Sequence, residues 1–100
     1  MKMFKDLVFK KTKFGSICAK VEFDNGFVIS VVAGQMAYST PREDKDSVDD
    51  FVSFEVAVME SSSGEFVTKD FTPDANDDVL GWQDRGEINT LMLLIQNTEV

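Results

Sequence analysis

Apolar and polar positions between Ser16 and Ala33 fall into two β-rich runs around a turn. The chain reads Ser-Ile-Cys-Ala-Lys-Val-Glu-Phe, then Asp24-Asn25-Gly26, then Phe-Val-Ile-Ser-Val-Val-Ala, a strong hairpin signal. Two registers compete. A two-residue Asn25-Gly26 loop pairs Phe23 with Val28 and sets Glu22 opposite Ile29. A three-residue loop, with Gly26 in the left-handed position, pairs Phe23 with Phe27, Val21 with Ile29, Ala19 with Val31 and Ile17 with Ala33. The second register gathers eight apolar side chains on one face, and a one-residue slip would scatter them. It is the register predicted here. The opposite face then carries Cys18, Lys20, Glu22, Val28, Ser30 and Val32, a mixed and half-exposed set.

The rest of the chain is arranged around this hairpin. Met1 to Asp6 reads as a lead-in with Phe4 tucked onto the body, and Leu7 to Lys10 as a first strand ending before Gly15. Residues 40–50, Thr-Pro-Arg-Glu-Asp-Lys-Asp-Ser-Val-Asp-Asp, form a polar, mobile segment, where Pro41 and the charge density oppose strand and helix. Val52, Phe54, Val56 and Val58 alternate with polar and small residues and predict a strand over 51–60. A turn at Ser61 to Gly64 and a strand over 65–71 complete a second hairpin. Pro73 and the acidic turn at 74–78 then break regular structure.

Asp84 followed by Glu87 is a capping-box pattern that opens a helix. Ile88, Leu91, Met92 and Ile95 form its docking stripe. Leu94 flanks that stripe and is expected to be mostly covered, whereas Leu93 lies well off it. Leu80 and Trp82 are expected to plug the junction between sheet and helix. The fold class predicted is α+β: an antiparallel β-sheet of about five strands (two hairpins plus an N-terminal strand) with one C-terminal α-helix packed on one face.

One hundred residues with 43% hydrophobic content imply a single domain spanning 1–100. The apolar runs are too short to span a membrane, and the N-terminal residues lack the apolar centre of a secretion signal. A single Cys, Cys18, fits a reducing, cytoplasmic setting and reads as a small hydrophobe in a strand. The net charge is −8, unevenly spread: residues 1–20 hold six Lys against Asp6, while residues 21–100 hold four bases against seventeen acids. So acidic a surface repels phosphate backbones, and direct nucleic-acid binding is not expected. The cluster Lys10-Lys11-Thr12-Lys13 reads either as a charged strand edge that blocks edge-to-edge pairing or as an attractor for an acidic partner.

The sequence contains no His, which removes the commonest general base and metal ligand. No Gly-rich phosphate loop appears: Asp24-Asn25-Gly26 and Ser63-Gly64 are turn glycines, and neither opens a helix. The acidic clusters lack the Asp-x-Asp-x-Asp-Gly spacing of a calcium loop. Hence no catalytic residue, metal site or cofactor is expected, and the chain reads as a non-enzyme. Partner binding remains. Asp44, Asp46, Asp49 and Asp50 could present a negative surface to a basic protein groove, in the manner of a nucleic-acid mimic. Tyr38 and Leu93 supply apolar anchors, Tyr38 the better because aromatics dominate interface energetics.

Phe4-Lys5-Asp6-Leu7-x-Phe9, Ala19-Lys20-Val21-Glu22-Phe23-x-Asn25-Gly26, Ser30-Val31-Val32, Tyr38, Phe54-Glu55-Val56-Ala57-Val58 and Asp78-Val79-Leu80-Gly81-Trp82 together resemble small single-domain accessory proteins of tailed bacteriophages. The resemblance covers nearly the whole chain through structural motifs, and it assigns no functional residue. It implies a protein made in the cytoplasm of an infected host bacterium that binds and inhibits a host or defence protein. The alternative expectation is a structural phage component that assembles into a homo-oligomer; a small enzyme comes third.

Overall fold

In the computed structural model, which describes residues 1–75 and 78–99, the central hairpin adopts the three-residue-loop register. Strand β2 (Ile17–Glu22) pairs with β3 (Phe27–Ala33) through Val21–Ile29, Ala19–Val31 and Ile17–Ala33. The Phe23 amide donates to the Phe27 carbonyl at 2.8 Å. Gly26 has φ +89°, a conformation that a residue with a Cβ adopts only at a cost, so the turn selects glycine there.

Around this hairpin, β1 (Lys10–Lys11), β4 (Phe54–Glu60) and β5 (Leu80–Gln83) complete a five-stranded antiparallel sheet in the order β1-β2-β3-β4-β5. A short helix, α1 (Thr68–Phe71), precedes β5, and α2 (Arg85–Gln96) follows it. Asp84 and Glu87 form the reciprocal capping box: the Glu87 amide donates to Asp84 Oδ1 at 2.8 Å, and the Asp84 amide to Glu87 Oε1 at 3.0 Å. Two of the first-turn N–H groups that an α-helix leaves open are thereby satisfied.

The core lies between one face of the sheet and α2. Ile88, Leu91, Met92 and Ile95 are buried against Ile17, Phe23, Ile29, Val31, Phe54, Val56 and Val58. Burying each large side chain contributes about 1.5–3 kcal/mol, which is what fixes the helix to this face. Phe4 closes one end of the core, its ring centroid 5.2 Å from that of Phe54, as the lead-in reading expects. Among the described residues, no helix lies over the other face of the sheet.

Four local expectations are corrected. The N-terminal strand is Lys10–Lys11 rather than Leu7 to Lys10, and the lead-in before it contains a 3-10 turn at Phe4–Asp6. The alternation over 51–60 fails at its start: Val52 is 67% exposed and Phe51 is buried, because the chain leaves the 3-10 turn Val48–Asp50 before joining the sheet. Residues 65–71 are not a second hairpin strand. After one bridge between Phe66 and Met59 the chain turns into α1, where the Thr68 hydroxyl accepts from the Val58 amide at 2.9 Å and Phe71 packs edge-on to Phe27. The fifth strand is Leu80–Gln83. Finally, Leu94 is 48% exposed rather than covered, and Leu93 is half-buried. The acidic turn at 74–78 includes Asn76 and Asp77, which lie outside the described residues.

Candidate protein-interaction surface

The helix-free side of the sheet follows from strand pairing. Lys10, Cys18, Val32 and Glu55 face one another in succession across β1, β2, β3 and β4. Lys20, Ser30 and Ala57 form the next row, and Glu22, Val28 and Met59 the one after it. Ser30 and Ala57 are buried by their neighbours, whereas Cys18, Val28, Val32 and Met59 are half-exposed.

At the corner of this side the segment after Gly34 folds back over β5. Leu80 pairs with Val56 and faces the core, so Gly81 faces the helix-free side. Tyr38 occupies the space that a Gly81 side chain would need, and the Trp82 amide donates to the Tyr38 carbonyl at 2.9 Å. Glu55 Oε1 accepts from the Tyr38 amide at 3.2 Å.

The rings of Tyr38 and Trp82 stack with centroids 5.1 Å apart and planes tilted by 31°. The Arg42 guanidinium lies 5.1 Å from the Tyr38 ring on the same corner. Trp82 is 57% exposed and Tyr38 is 40% exposed. Trp82 also has φ +54°, alone among the described non-glycine residues. A bulky side chain there costs about 1–3 kcal/mol, which the surrounding contacts must offset. The expectation that Trp82 plugs the sheet–helix junction is therefore corrected: the fold holds it out in solvent.

The acidic segment adjoins this corner through Arg42, and its four aspartates divide. Asp44 is bound into the structure: its Oδ1 accepts from the Gln35 amide at 2.9 Å, and its carboxylate rests against Gly15 and Gly34. Asp46 pairs with Lys11 at 3.0 Å, an exposed contact of the kind that contributes at most about 1 kcal/mol. Asp49 and Asp50 lie in the Val48–Asp50 turn with their side chains exposed.

Arg85 fixes that turn from the other side. Its guanidinium donates to the Phe51 and Val48 carbonyls at 2.8 and 2.9 Å and lies over the Phe4 and Phe54 rings. So the segment is anchored at both ends, and its free charge is carried by Asp49 and Asp50, while Glu43 and Lys45 pair with each other at 3.7 Å. Leu93 lies on α2, across the sheet from Tyr38, and does not join this corner.

Sequence reasoning selected Tyr38 and missed Trp82 and Arg42. One signal for Trp82 was available. The chain's single Trp stands between Gly81 and Gln83-Asp84, outside the docking stripe of the helix that follows. Among the described residues no group of three or more His, Cys, Asp or Glu is placed to hold a metal ion, and no helix is long and apolar enough to cross a membrane. Comparison with protein-family models, curated proteins and solved structures finds no match to this chain.

Proposed function

We propose that the chain is a non-enzymatic protein-binding module that engages its partner through the Tyr38–Trp82 corner, with Asp49 and Asp50 steering the approach of a basic surface. The observation that carries this reading is Trp82 itself, stacked on Tyr38, exposed, and kept at a backbone angle that disfavours it. Trp, Tyr and Arg are the residue types that dominate interface hot spots, and all three meet here. Rim carboxylates act mainly on the association rate and its salt dependence. The resemblance to phage accessory proteins supports a host or defence protein as the partner and inhibition as the outcome.

The test is parallel affinity capture from bacterial lysate with the wild type, Trp82→Ala and Asp49→Asn/Asp50→Asn. The wild type retains one protein. Trp82→Ala loses it, and the double Asn variant captures it more slowly and with less sensitivity to salt. Equal retention by wild type and Trp82→Ala refutes the reading.

A further inference from the structure

The row Lys10, Cys18, Val32, Glu55 across the helix-free face is self-complementary. A two-fold axis lying in the plane of that face and parallel to the strands reverses the row. The Lys10 ammonium of one copy then stands over the Glu55 carboxylate of the other, twice, with Cys18 and Val32 meeting between them. The in-plane axis perpendicular to the strands would instead set Lys10 over Lys10. Charge selects the first arrangement, because like charges across an interface are strongly disfavoured.

We propose that this face pairs with a second copy of the chain about that axis. Three observations converge on it. The chain carries a net charge of −8, yet the face itself is balanced, with Lys10 and Lys20 against Glu22 and Glu55. An acidic molecule approaching its own copy therefore meets it where repulsion is least.

The basic edge is also concave, a depression lined by Val8, Lys10, Cys18 and Lys20, into which the axis brings the Glu55 carboxylate. Finally, Val8 at that edge is exposed, and between the two edges the half-covered Cys18, Val28, Val32 and Met59 lie among the exposed Lys20 and Glu22 and the buried Ser30 and Ala57. That is a mixed apolar and polar face, the composition of a non-obligate protein interface taken as a whole.

At ordinary strand spacing the face measures about 20 Å on a side. A stable complex buries roughly 800 Å² per partner, so the pairing is reversible and depends on concentration. Because β1 of one copy ends over β4 of the other, Trp82 on β5 lies outside the paired rows, while Tyr38, whose amide donates to Glu55, borders the Lys10–Glu55 contact. The pairing thus goes beyond the proposed partner-binding corner and adjoins it at Tyr38.

The experiment is sedimentation equilibrium up to about 1 mM on the wild type, Lys10→Glu, Glu55→Lys and an equimolar mixture of the two variants. Each variant alone sets like charges together at both symmetric contacts. The wild type shows a monomer–dimer equilibrium, and each variant alone weakens it by about tenfold or more. The mixture restores it, because opposite charges then meet at both contacts of the heterodimer.

A wild type that stays monomeric overturns the proposal, as does a Lys10→Glu variant that associates like the wild type, or a mixture no stronger than its components. Glu55 also accepts from the Tyr38 amide, so its variant is checked for folding first. If it does not fold, Lys10→Glu decides by itself, since the exposed Lys10 side chain makes no hydrogen bond or ion pair among the described residues. None of these readings depends on Trp82, so failure here and failure of the capture experiment are distinct results.

Discussion

Tyr38 lies where a side chain on residue 81 would have to go: a Cβ built on Gly81 comes 2.8 Å from the Tyr38 Cβ. Neither atom has a flexible end that can swing aside. The contact is what brings a loop residue and an edge-strand residue, distant in sequence, into one aromatic corner. Gly81→Ala should therefore cost about 1–3 kcal/mol by overpacking. It should also separate the Tyr38 and Trp82 rings. Urea unfolding measures the first effect. The emission of Trp82, the only tryptophan, reports the second.

Asn25 does two jobs in one turn. Its Oδ1 faces the Phe27 amide at 3.4 Å, and its Nδ2 donates to the Ile95 and Thr98 carbonyls at 2.8 and 2.9 Å. The central hairpin thereby caps the C-terminal end of α2, whose last carbonyls lack partners within the helix. Asn25→Ala should destabilise by about 1–2 kcal/mol. Asn25→Asp should be worse, since it replaces the donor by a carboxylate facing two carbonyls. Hydrogen exchange confined to the last turn of α2 locates the effect.

Thr68 is buried, and its hydroxyl accepts from the Val58 amide and donates to the Asp78 carbonyl at 2.6 Å. Thr68→Val keeps the shape but leaves the Val58 N–H without an acceptor in the core, at a cost of about 1–3 kcal/mol. Thr68→Ser keeps the bonds and loses only a methyl group, about 0.8 kcal/mol plus any cavity term. Thermal unfolding of the pair separates hydrogen bonding from packing. Equal losses would contradict this assignment.

Arg85 holds the acidic segment through the Phe51 and Val48 carbonyls. Arg85→Lys keeps the charge but not the fork that reaches two acceptors. Arg85→Met removes both bonds and should destabilise by about 2–3 kcal/mol. The visible consequence is local: proteolysis between residues 42 and 50 should accelerate more than global stability falls.

The elements legible in the sequence are those whose patterns are self-contained. The Asp24-Asn25-Gly26 turn and its flanking alternation set the hairpin register, and Asp84 with Glu87 set the start of α2, because each depends on neighbours within a few residues. Residues 65–71 show why the rest was not legible. Glu-Phe-Val-Thr-Lys-Asp-Phe reads as a strand, yet the Thr68 hydroxyl bonds to Val58, ten residues away, and turns the chain into α1 instead. The same holds for the site. Tyr38 was readable as an aromatic beside a polar segment, but the exposure of Trp82 is set by Tyr38 itself, which fills the space beside Gly81. Asp44 looked as free as Asp49, and only the Gln35 amide shows that it is bound.

The most direct measurement of the account is the fluorescence of Trp82, read on the dilute chain and again after addition of the protein it captures. Red-shifted emission that acrylamide quenches freely in the chain alone, followed by a blue shift and protection in the complex, is the predicted result. Emission that is already blue and protected in the free chain, or that stays unchanged in the complex, would contradict the claim that this corner is displayed for a partner.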